Sequence, residues 1–147
     1  MSITKKWPGV YVTDSDDKIL ERIMKSDGIL HSARKRDILL IAAAIAAKQN
    51  ASEIVSTEKR SVNQIHQDTL NKQELSDYRQ YLLLIYYMTA GNKKLQNMND
   101  TGAVVKNFED YAQRGLRIME QDYLTPDGSD NFLDNYLDTL NGIFPSI

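Results

Sequence analysis

The sequence predicts an all-α fold: a compact bundle of about five helices, with an irregular or short β-hairpin segment around residues 50–70. Three observations predict it. Apolar side chains recur at spacings of three and four along most of the chain, which gathers them on one face of a helix. Only three prolines and seven glycines interrupt the pattern, too few for a loop-rich or sandwich architecture. The 147 residues are 41% hydrophobic and 26% charged, enough apolar surface to build the core of one domain.

Residues 1–12 read as a tail or arm. Val10-Tyr11-Val12 has β character but is too short to predict a core strand. Thr13-Asp14-Ser15-Asp16-Asp17 marks a helix start, because short oxygen-bearing side chains cap free N–H groups and acids suit that end of the helix dipole. Ile19, Leu20, Ile23 and Met24 form the inner face of this helix, and Asp27-Gly28 ends it. The second helix is expected from near Ser32, through Arg34-Lys35-Arg36-Asp37, into the ten apolar residues Ile38 to Ala47. That run is apolar around nearly its whole circumference, which marks a central helix. It is too short to span a bilayer, which needs about 20 residues.

Residues 50–70 fit a loop, a short helical turn or a small hairpin arm. A third helix is expected over roughly 72–91. Asn71 with Glu74 resembles a capping box, Leu75, Tyr78, Leu82, Ile85 and Tyr86 form the inner face, and Gly91 is the stop. The fourth helix starts at Asp100 or Thr101 and aligns Val104, Phe108, Tyr111, Ala112, Gly115, Ile118 and Met119. Gly115 costs about 1 kcal/mol relative to alanine inside a helix, and close approach of another backbone would compensate. After the turn Pro126-Asp127-Gly128, a fifth helix from Ser129 or Asp130 carries Phe132, Leu133, Tyr136, Leu137 and Leu140. With no repeat, low-complexity tract or linker, residues 1–147 read as one domain.

The net charge of −2 is unevenly placed: residues 1–75 carry +2 and residues 76–147 carry −4. A basic front and an acidic back suit an anionic partner or head-to-tail self-association. Cysteine is absent and Met1 to Lys6 contain no apolar signal core, so the cytoplasm is the expected compartment, with no membrane partner.

The common catalytic signatures are missing. There is no phosphate-binding glycine loop, dinucleotide fingerprint or paired-histidine zinc motif, and no cofactor is expected. His31 and His66 read as loop or surface residues, and Asp14, Asp16 and Asp17 as capping residues lacking a calcium loop's ligand spacing. Glu109, Asp110 and Glu120 read as the solvated face of a helix, and the tyrosines at 78, 81, 86 and 87 as packing residues. Arg34-Lys35-Arg36 breaks a local rule, since cations in a first turn oppose the helix dipole by about 0.3–1 kcal/mol each. They could instead hold an anion at the helix start, and Lys59-Arg60 could extend the patch. Trp7, in the arm, is a candidate partner contact that could equally dock on its own domain.

Three segments carry a family resemblance. They are Arg36 to Ile45 of the alanine-rich helix, Tyr78 to Ala90, and Glu109-Asp110-Tyr111-Ala112-Gln113-Arg114-Gly115-Leu116-Arg117-Ile118-Met119. Together, over about residues 15–140, the chain resembles the small accessory proteins associated with DNA phosphorothioation (Dnd) systems of bacteria and archaea. The resemblance implies a role in defence against foreign DNA, beside larger ATPase or nuclease subunits, and carries over no catalytic residues. In place of the family's glycine after the alanine-rich helix stands Ala47-Lys48-Gln49-Asn50, and the middle segment is not clearly a strand pair. Three functions follow as expectations. The first is a non-enzymatic interaction subunit of such an assembly. The second is a DNA-binding protein using Arg34, Lys35, Arg36, Lys59 and Arg60, and the third a hydrolase with a site assembled from scattered Asp, Glu and His.

Overall fold

The computed structural model describes residues 6–54, 56–89 and 99–143. Met1 to Lys5 of the arm, the stop at Gly91 and the side chain of Leu133 lie outside the described residues. In chain order the elements are β1 (Val10–Thr13), α1 (Asp14–Lys25), α2 (Lys35–Gln49), β2 (Arg60–Ile65), α3 (Gln67–Leu70), a 3-10 turn (Gln73–Leu75), α4 (Ser76–Thr89), α5 (Thr101–Asp122) and α6 (Gly128–Ile143). The fold is mostly helical with a small antiparallel sheet. No helix among the described residues is long and apolar enough to cross a membrane.

The sheet corrects one expectation and specifies another. Val10–Thr13 is a core strand after all: Val10 and Val12 are buried between the sheet and the helices. The strand in the middle segment does not fold back on itself. It pairs with β1, in the register Val10↔Ile65, Tyr11↔Asn63, Val12↔Val62 and Thr13↔Arg60, with an irregularity after Val10 and another after Val12. Local pattern cannot report such a pairing, because its partner lies about fifty positions away.

α1 starts where the oxygen-bearing residues predict. The Thr13 hydroxyl accepts the Asp16 amide at 3.0 Å, and Ile19, Leu20 and Ile23 are buried. α2 begins later than expected, at Lys35, because Ser32 takes a left-handed backbone (φ 63°) that no helix continues. Its end is orderly: Asn50 adopts φ 51°, ψ 49°, with the Ala51 amide bonded to the Ala46 carbonyl. Asparagine is the residue after glycine that tolerates this cap, and Asn50 ends α2 in that way.

α2 is the centre of the bundle. Ile38, Leu39, Ala42, Ala43, Ala44, Ile45 and Ala46 are all buried. α5 crosses it at Gly115, where any Cβ would collide with the backbone of Ala42. α5 is capped by Asp100, whose carboxylate accepts the Ala103 amide at 3.1 Å, and buries Val104, Val105, Phe108, Ala112, Leu116 and Met119.

Two further expectations are corrected. Asn71 does not form a capping box with Glu74; α4 starts at Ser76 after the 3-10 turn, and the Asn71 side chain is held by Trp7. Leu137 is 43% exposed although it sits in the last apolar stripe. Phe132, Tyr136 and Leu140 turn inward at i, i+4 and i+8, and Leu137 lies about 100° further round the helix than Tyr136.

Candidate functional site

Two of the cations at the start of α2, Arg34 and Arg36, line a groove of about 300 Å3. Leu40, Leu75, Tyr78 and Tyr81 supply its apolar surface, and Arg34, Arg36, Asp37, Glu74 and Asp77 its charges. Backbone geometry fixes this arrangement. Arg34 is the N-cap of α2 without a side-chain cap bond, while the Tyr78 hydroxyl donates to the Arg36 carbonyl at 2.6 Å and ties α4 to the start of α2. Burial raises the Tyr78 pKa well above the usual phenol range, so the hydroxyl stays a donor.

The three cations have different fates. Arg34 Nε donates to Asp37 at 3.0 Å. Lys35 reaches away from the groove to Asp17 at 2.8 Å and Glu21 at 3.4 Å on α1. Burial works against its charge, but the two carboxylates outweigh burial and raise its pKa. Arg36 has no ion pair among the described residues, and the same holds for Glu74 and Asp77.

Arg60 lies elsewhere. At the first residue of β2 it reaches α5, with Asp110 at 2.7 Å, Glu109 at 3.8 Å and the Gln113 side-chain Oε1 at 2.9 Å. Lys59 is exposed and has no ion pair among the described residues. Lys35 is thus paired with carboxylates of α1, and Arg60 with carboxylates of α5.

Glu109 and Asp110 do not lie on a solvated face. Glu109 is largely covered, and its carboxylate accepts the Tyr11 amide at 2.7 Å, closing the free side of β1. Burial raises the Glu109 pKa against the lowering effect of that amide and of Arg60. Asp16, only 1% exposed, faces Arg117 of α5 at 3.2 Å. That guanidinium is near enough for a charge pair yet not aimed at Asp16 Oδ1, which takes no aligned hydrogen bond. Burial raises the Asp16 pKa, opposed by the Thr13 hydroxyl and Arg117. These carboxylates escaped sequence reasoning because each is covered by an element remote in the chain.

Trp7 is 8% exposed and belongs to the core of its own chain. Asn71 brackets its peptide unit, accepting the Trp7 amide at 2.9 Å and donating to the Trp7 carbonyl at 2.8 Å. His31 is exposed and its ring meets the Ser26 carbonyl, while His66 caps α3 by accepting the Asp68 amide at 3.2 Å. No group of three or more His, Asp or Glu able to hold a metal ion occurs among the described residues.

These features define a mostly helical fold with an open groove of mixed charge at the junction of α2 and α4. A family model described as DNA sulphur modification system-associated protein 4 matches residues 12–142. The chain belongs to that family, whose description ties its members to a DNA sulphur modification system. No curated protein and no solved structure matches the chain.

Proposed function

We propose that the chain is a non-enzymatic accessory subunit that binds larger protein components of a DNA sulphur modification system, in the cytoplasm and in the service of defence against foreign DNA. The observation that carries this reading is how the chain disposes of its own cations. Arg34, Lys35 and Arg60 are each met by carboxylates of the same chain. Phosphate contacts would have to displace those carboxylates, whereas a protein surface of mixed charge can use the groove as it stands.

The test is co-purification. Tagged full-length chain, co-expressed with the other proteins of the system, should emerge in a complex of fixed stoichiometry. Recovery of the chain alone would overturn the reading. A gel shift with duplex DNA at low salt addresses the alternative. Retention that collapses steeply as salt rises would put DNA in the protein partner's place.

A further inference from the structure

The groove does not end at Tyr81. On α4, Asp77, Tyr81, Leu84 and Met88 follow one another at steps of four, three and four, and so share one stripe of the helix. Asp77 and Tyr81 line the groove. Leu84 and Met88 are 36% and 37% exposed, and Tyr87 beside them is 59% exposed. From Asp77 to Met88 the stripe runs about 16 Å, or three helical turns. Single exposed apolar residues need no explanation, but three within five positions, continuous with a groove of mixed apolar and charged lining, mark a docking surface.

Charge identifies the occupant. Within the groove Arg34 is neutralised by Asp37, which leaves Arg36 against Glu74 and Asp77. The two carboxylates are exposed and lack ion pairs among the described residues, so the balance open to a visitor is negative. A phosphate rail would meet repulsion there. A segment bearing Lys or Arg would gain two carboxylates.

We propose that the groove and the Tyr81–Leu84–Met88 stripe seat an amphipathic helix of a partner protein. Its apolar side chains lie on the stripe, and a Lys or Arg at one end lies between Glu74 and Asp77. A helix fits because the exposed side chains themselves repeat at helical spacing, so ridges of a second helix can lie along them. This assignment rests on the accessory-subunit reading and names the chemistry of that subunit's contact.

The experiment uses the full chain and the co-expressed proteins of its system, with p-benzoylphenylalanine in place of Tyr87. The photo-adduct should map to a helical, Lys- or Arg-bearing segment of one of those proteins. In parallel, Glu74→Lys with Asp77→Lys, and separately Met88→Asp, should each weaken the complex by about tenfold or more. Asp134→Lys, on the exposed side of α6, should leave it unchanged. A complex that forms yet ignores the Glu74, Asp77 and Met88 substitutions, or an adduct to DNA, to a second copy or to an acidic segment, overturns the groove assignment alone. Failure of the unmodified chain to bind any protein of the system overturns the accessory reading beneath it.

Discussion

Gly115 of α5 rests directly on the backbone of Ala42 in α2: a Cβ at position 115 would come within 2.8 Å of the Ala42 Cα and closer still to its carbonyl group. Gly115→Ala adds about 1 kcal/mol of helix propensity but forces the two central helices apart. The expected outcome is a net loss of about 2–3 kcal/mol. Urea unfolding followed by circular dichroism measures it, and a variant as stable as the parent would contradict the close crossing.

The contact between Asp16 and Arg117 joins α1 to α5 across 3.2 Å. Arg117→Met keeps the aliphatic stem but leaves a carboxylate that is 1% exposed without its counter-charge. Breaking such a pair costs several kcal/mol when both partners are buried. Arg117 is about a third exposed, so about 2 kcal/mol is expected. Adding Asp16→Asn should recover part of the loss, because the stranded charge is gone. Additive losses in this double-mutant cycle would show that the two side chains do not interact.

How much of this was legible beforehand depends on range. Helical periodicity places Leu75, Tyr78, Leu82, Ile85 and Tyr86 on one inner face, and all five are buried. The cost of Gly115 points to a neighbouring backbone, and Ala42 provides it. The pairing of β1 with β2 leaves no such trace, since nothing near Val10 encodes Ile65 as its partner. Asn71 fits a local capping rule, yet a tertiary contact with Trp7 prevails. Of the candidate site, the cations at the start of α2 stood out because they oppose the dipole. The carboxylates that engage Lys35 and Arg60 lie on α1 and α5 and became visible only in the fold.

Burial of Glu109 gives a pH signature with a definite sign. Its folded pKa is raised from the ordinary 4.5, mainly by burial. Between 4.5 and that raised value the folded chain holds a proton that the unfolded chain has released, so this group's contribution falls as pH rises through the window. Glu109→Gln cannot titrate and can still accept the Tyr11 amide. Its stability relative to the parent should therefore improve from pH 4.5 to pH 7. Paired denaturation curves at the two pH values test this, and a difference that stays flat or moves the other way would contradict the buried state of the carboxylate.

Trp7 reports on the arm that carries it. It is the chain's only tryptophan and is 8% exposed, so its emission should be that of a shielded indole. Asn71 holds the Trp7 peptide through both its amide and its carbonyl. In Asn71→Ala those two backbone groups lose their partner at a half-buried site, with an expected loss of about 1–3 kcal/mol. The arm precedes β1 directly, so its release should begin where the sheet joins the helices and leave α2 and α5 packed. Emission should then shift to the red while far-ultraviolet circular dichroism stays close to the parent's. Unchanged emission would mean that burial of the indole, rather than the Asn71 clamp, keeps the arm in place.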